Sequence, residues 1–138
     1  MFSAKDKSSN VQYDTLISAK TEITGDVRFS GGLHVDGVIK GNLIADAGSS
    51  AVLRVSNKGR IDGEIHAPNI IINGHVNGDI HAAEYIELAK DARVVGDVYY
   101  KSMEMVLGAS VNGQLKHQES DTSGKAKVAK TVQTEKVD

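Results

Sequence analysis

The chain has 138 residues, 25% of them charged, a formal net charge of −2 and no cysteine. That length supplies one domain with a modest core, and the near-neutral balance gives no general pull toward nucleic acid or anionic surfaces. Without cysteine there is no disulfide framework, no thiolate zinc site and no thiol nucleophile, a usage that fits a reducing cytoplasm.

Met1–Asp14, MFSAKDKSSNVQYD, is polar and aperiodic and reads as a disordered tail. It lacks the apolar stretch of a secretory signal, and no run in the chain approaches the ~20 apolar residues of a spanning helix. Residues 15–116 then repeat one motif, aliphatic–x–Gly–polar–aliphatic. The copies are ITGDV at Ile23–Val27, IKGNL at Ile39–Leu43, IDGEI at Ile61–Ile65, VNGDI at Val76–Ile80, VVGDV at Val94–Val98 and VNGQL at Val111–Leu115. Upstream of each lies a second apolar stretch, beginning at Leu16, Leu33, Leu53, Ile70, Ile86 and Met103, with steps of 17, 20, 17, 16 and 17 residues. A fixed period of this kind marks a solenoid. The long step coincides with ADAGSS at Ala45–Ser50, which reads as a surface insertion.

Within each repeat the apolar residues alternate with period two, which is strand rather than helix. Turn residues separate the strands at Asp36–Gly37, Asn57–Gly59, Asn73–Gly74 and Lys90–Ala92. From the first stretch to the motif the spacing is four residues (Val35 to Ile39, Ile72 to Val76) or six (Val55 to Ile61, Leu88 to Val94, Met105 to Val111). The difference is even, so the apolar set keeps pointing inward. A third strand follows each motif at Val27–Phe29, Leu43–Ala45, Ile65–Ala67, Ile80–Ala82 and Val98–Tyr100, with either Tyr99 or Tyr100 facing in. Three short strands per ~17 residues predict an all-β fold, a single-stranded parallel β-helix of about six triangular coils at ~4.8 Å spacing. The motif glycines fall on outward parity, where a bend, a bulge or a close backbone approach would require them.

Residues 117–138 contain no Leu, Ile, Phe or Tyr and read as a second disordered tail. It either solubilises the chain or docks a partner through Lys125, Lys127, Lys130 and Lys136.

TLISAKTEITGDVRFSGGLHVDGVIKGNLIA at Thr15–Ala45, followed by the further motif copies to Leu115, resembles the bactofilins, a bacterial cytoskeletal polymer family. The resemblance covers about 100 residues. It implies a right-handed triangular β-helix that polymerises end to end without nucleotide into nonpolar filaments. It also implies association with the inner face of the cytoplasmic membrane, and a scaffold role for cell-wall-modifying or morphogenesis proteins. The repeat steps alone argue only against the left-handed hexapeptide helix, whose full turn is a multiple of six.

The residues give their own reason for self-assembly. A stack of coils has two ends with unpaired backbone groups and an open slice of core, and nothing amphipathic flanks the repeats to cap them. The candidate end residues are Leu16, Ile17, Ile23, Val27 and Phe29 on one side and Met103, Met105, Val106, Val111 and Leu115 on the other. Same-to-same contacts at both ends would give a filament without polarity. The membrane-targeting candidates are Met1 and Phe2, as a small apolar insert, with the charges of Lys5 and Lys7. One copy binds an anionic leaflet feebly, and a filament presents many.

Two features invite a chemical reading. The residue after each motif glycine (Asp26, Asn42, Glu64, Asp79, Asp97, Gln114) forms an outward column, but the known calcium-solenoid pattern is absent and nearby cations balance it, so a solvated face is expected. His66 and His81 occupy equivalent outward places one coil apart, a spacing at which two imidazoles share a metal or serve as an acyl-transfer base. No serine constellation accompanies them, no long insertion covers a substrate, and no glycine run has a P-loop frame. The sequence therefore assigns no catalytic, cofactor or metal residue, no nucleic-acid partner and no enzyme activity. The alternatives carried are a hexapeptide-type β-helix acyltransferase and a passive protein-binding solenoid.

Overall fold

The computed structural model describes residues 12–46 and 48–119, and every regular element among them is a strand. Coil one contains β1 (Thr15–Ile17), β2 (Glu22–Thr24) and β3 (Val27–Phe29), and coil two contains β4 (Gly32–Val35), β5 (Val38–Lys40) and β6 (Leu43–Ala45). Coil three begins with β7 (Val52–Val55) and β8 (Arg60–Asp62). From there the third face of one coil and the first face of the next share a strand: β9 (Ile65–Ile72), β11 (Ile80–Leu88) and β13 (Val98–Met105). Between these run β10 (His75–Asn77), β12 (Arg93–Val95) and β14 (Ser110–Asn112), and β15 (Leu115–His117) closes the sixth coil.

All pairings are parallel. One sheet stacks β2, β5, β8, β10, β12 and β14, and a wider one carries the other two faces. The wider sheet folds where its register shifts, between Ala82 and Tyr85. Pro68, the chain's one proline, lies on β9 at this irregularity, where the missing N–H is tolerated.

Like residues stack on like. Ile39, Ile61, Val76 and Val94 form one inward column, and Leu43, Ile65, Ile80 and Val98 form another. Leu33, Leu53, Ile70 and Ile86 line a third, and Val35, Val55, Ile72 and Leu88 a fourth. All sixteen are buried. Each contributes ~1.5–3 kcal/mol by leaving water, which is how a chain poor in aromatics obtains a core.

One sequence expectation needs correction. Leu16 does not open the first inward stretch: it pairs with His34 on the outer side and is 60% exposed, while Thr15 and Ile17 stand under Leu33 and Val35. Thr15 occupies the inward place, so the apolar pattern was displaced by one residue. Each motif glycine sits at the bend between the second and third strands of its coil. The two-residue difference in spacing comes from the corners. At long corners Gly59, Ala92 and Ala109 donate to the carbonyls of Ser56, Ala89 and Val106, closing turns whose two tip residues project outward. Of the two tyrosines, Tyr99 pairs with outward His81, and Tyr100 pairs with inward Ala82 and packs against the core.

Candidate functional site

The solenoid presents two open ends and one polar side face. At the lower end β1, β2 and β3 have a partner on one side only, and Ile23, Val27 and Phe29 are half-buried while Ile17 is buried. At the upper end Met103, Val111 and Leu115 are half-buried and Met105 and Val106 are exposed. The contrast along one column is large: Leu88 is 0% exposed and Met105, stacked directly on it, 44%. A large apolar side chain left open at a strand edge is a template for another chain.

Leu107, 91% exposed, belongs to the same upper patch and was missed in the sequence. The signal was present. The corresponding tips are Ala19–Lys20, Asn57–Lys58 and Lys90–Asp91, and only the last coil places a leucine there. The proposed membrane residues Met1, Phe2, Lys5 and Lys7 and the lysines of the C-terminal tail lie outside the described residues.

The polar residues after the motif glycines are not merely a solvated face. The side-chain oxygen of Asp26 accepts from the backbone N–H of Asn42 at 2.9 Å, Asn42 from Glu64 at 2.9 Å, Asp79 from Asp97 at 2.9 Å and Asp97 from Gln114 at 3.0 Å. A short Asp or Asn places its oxygen one coil up, under the N–H left free by the bend. Beside this ladder the glycines stack backbone to backbone. A Cβ on Gly63 would fall on the carbonyl oxygen of Gly41, and one on Gly96 on that of Gly78. The recurrent Gly–polar pair is therefore a corner joint that lets one coil sit on the next. Of the bend, bulge and close backbone approach expected for the glycine, it shows the first and the last.

The ladder breaks at Glu64, whose carboxylate turns instead to His66 Nε2 at 3.0 Å. His66 stacks on His81 (centroids 4.3 Å apart, planes 5° from parallel) and His81 on Tyr99 (4.5 Å, 3°). The Lys116 ammonium lies 5.2 Å from the Tyr99 ring centroid. In-register pairing of β9, β11, β13 and β15 dictates this column. Burial, and then the neighbouring His66, hold His81 below its ordinary value. The other histidines do not join it: His34 bonds Asp36 at 3.0 Å, and His117 meets the Lys101 carbonyl at 3.1 Å.

Unpaired strands at both ends, an aliphatic core opened at those ends and no helix among the described residues define a stackable β-solenoid. The bactofilin family model, described as polymer-forming cytoskeletal, matches residues 15–116. The chain belongs to the bactofilin family. It is similar to bactofilin BacO of Myxococcus xanthus (strain DK1622), 28% identical over 110 residues, 80% of this chain and 84% of BacO. It is 31% identical over 116 residues to bactofilin BacP of the same organism, covering 83% of this chain but only 47% of BacP. No solved structure gives a significant match.

Proposed function

We propose that this chain is a structural protein rather than an enzyme. It assembles end to end, without nucleotide, into filaments lacking polarity. The filaments lie on the inner face of the cytoplasmic membrane and scaffold cell-wall-modifying or morphogenesis proteins. Membership of a polymer-forming cytoskeletal family supports self-association, and the rise in exposure from Leu88 to Met105 is the observation that carries the end-on reading. A second copy covering that end would bury Met105, Val106 and Leu107 together. Absence of polarity follows if each end meets its own kind.

Membrane attachment rests on Met1, Phe2, Lys5 and Lys7, through many weak copies held on one filament. No helix among the described residues is long and apolar enough to cross a membrane, so attachment in this reading is peripheral.

The test is negative-stain microscopy of the purified chain without nucleotide, beside Phe29→Arg and Met105→Arg. Filaments from the parent, and their loss in the variants with circular dichroism unchanged, support the reading. Intact filaments from both variants would reject the end assignment, and compact trimers from the parent would favour an acyltransferase. Co-sedimentation with anionic vesicles, lost on removing residues 1–7, tests the membrane claim separately.

A further inference from the structure

The outward column of the third face carries a cluster that end-on assembly does not use. Glu64, His66 and His81 each offer a ligand atom, and these atoms lie within 4.8 Å of one another. We propose that these three residues form a binding site for a borderline divalent transition-metal ion, of the zinc or nickel class, on the side of the solenoid.

The donor set selects the ion. Two imidazoles and one carboxylate suit zinc, nickel or copper, whereas calcium and magnesium want oxygen ligands throughout. The placement is built into the fold, because His66 and His81 are register mates on adjacent parallel strands and cannot drift apart without breaking the β9–β11 pairing. Donors around a tetrahedral zinc stand ~3.3 Å apart by its ~2.0–2.1 Å bonds. Glu64 Oε1 and His66 Nε2 are already 3.0 Å apart, and closure requires the His66 and His81 rings to turn out of their parallel stack so that their in-plane lone pairs converge on the ion.

An independent observation singles out the same place. In every other step of the corner ladder, the polar residue bonds the backbone N–H of the coil above. At Glu64 that bond is missing, and the carboxylate is directed toward the imidazole. No hydrogen bond to either nitrogen of His81 occurs among the described residues; its ring only stacks. The cluster also borders a groove lined by Asp46, Glu84 and Lys101, the last two paired at 3.7 Å. This departs from the sequence expectation of no metal, because neither the diversion of Glu64 nor the ring stacking is visible in the residue order. Three protein ligands leave a fourth position for water or a neighbouring molecule.

Titration calorimetry of the untagged full chain with zinc chloride, in a non-chelating buffer near neutral pH, tests the site. One saturable equivalent per chain is expected. His66→Ala and His81→Ala should each weaken binding at least roughly tenfold, and Glu64→Gln measurably. His34→Ala, which removes a remote imidazole, should leave binding unchanged. Circular dichroism checks that the fold survives each outward substitution, and His81→Asn replaces the alanine variant if it does not. Cobalt(II) added to the parent chain should give the intensified visible absorption of low coordination. Absence of saturable binding, binding indifferent to both histidine changes, or a cobalt spectrum identical to that of the free aqueous ion would each overturn the proposal. None of these results bears on filament formation.

Discussion

Gly96 shows how a single residue controls the stacking of whole coils. Its φ is +145°, a region that side chains rarely adopt, and a methyl group there would collide with the carbonyl of Gly78 in the preceding coil. Gly96→Ala should therefore cost ~1–3 kcal/mol, read as a lower urea midpoint, from strain and overpacking together. Glu64 offers the opposite case. Asparagine there has the reach to accept from the Asp79 N–H and complete the corner ladder. Glu64→Asn should stabilise the fold by about 1 kcal/mol, an effect visible in the same urea titration.

Asp36 gives a pH signature. The Ser56 hydroxyl, followed by His34, holds its carboxyl below the ordinary 3.8 against the opposing effect of burial. A depressed folded-state pKa contributes stability that is present above the unfolded value and lost as pH falls through the folded one. The parent's advantage over Asp36→Asn should thus be present above the unfolded value and shrink as pH falls below about 4. The repetition of glycine and Asp or Asn was legible in the sequence. Its cause was not, since Asp79 and Asp97 meet across coils and nothing local marks an N–H waiting one coil up.

Among elements, the corners decide registry. Asn57 and Lys58 form the tip of a long corner, and Asp36–Gly37 makes the equivalent short one without such a tip. Deleting both Asn57 and Lys58 should convert one corner into the other, with Ile61 still facing inward. Deleting Lys58 alone shifts the following strand by one residue and asks buried Ile61 to face water. Circular dichroism and urea midpoints should separate the two: the double deletion stays close to the parent, and the single deletion loses several kcal/mol, as a core truncation does. The even spacing was readable because strand parity survives in the letters. The fusion of two faces into β9, β11 and β13 was not, because Pro68 and the Ala83–Glu84 pair interrupt the alternation and look like loop. The displacement of Leu16 has a similar origin: a leucine beside a threonine suggests the inward place, yet the pairing with β4 gives it to Thr15.

For the whole molecule, the decisive feature is that the core does not close among the described residues. Four aliphatic columns rise through the stack and end at its upper side on the half-buried or exposed Met103, Met105, Val111 and Leu115, while at the lower side they end on Thr15, buried Ile17 and half-buried Ile23 and Val27. The terminal coils themselves were readable, since the first and last repeats are the first and last letters of a periodic pattern. How far each end residue is uncovered was not, because it depends on neighbours such as Asp14, whose carboxylate accepts from the Gly32 N–H at 2.8 Å beside the lower end. Six coils at ~4.8 Å give a subunit about 29 Å long, and a filament without polarity should repeat at about twice that.

The most direct test is sedimentation of the pure, untagged chain at high concentration in ordinary salt, with neither nucleotide nor lipid. Large polymers that pellet, and that show this axial spacing when imaged, are the expected result. A single small species that stays in the supernatant at every concentration would contradict it.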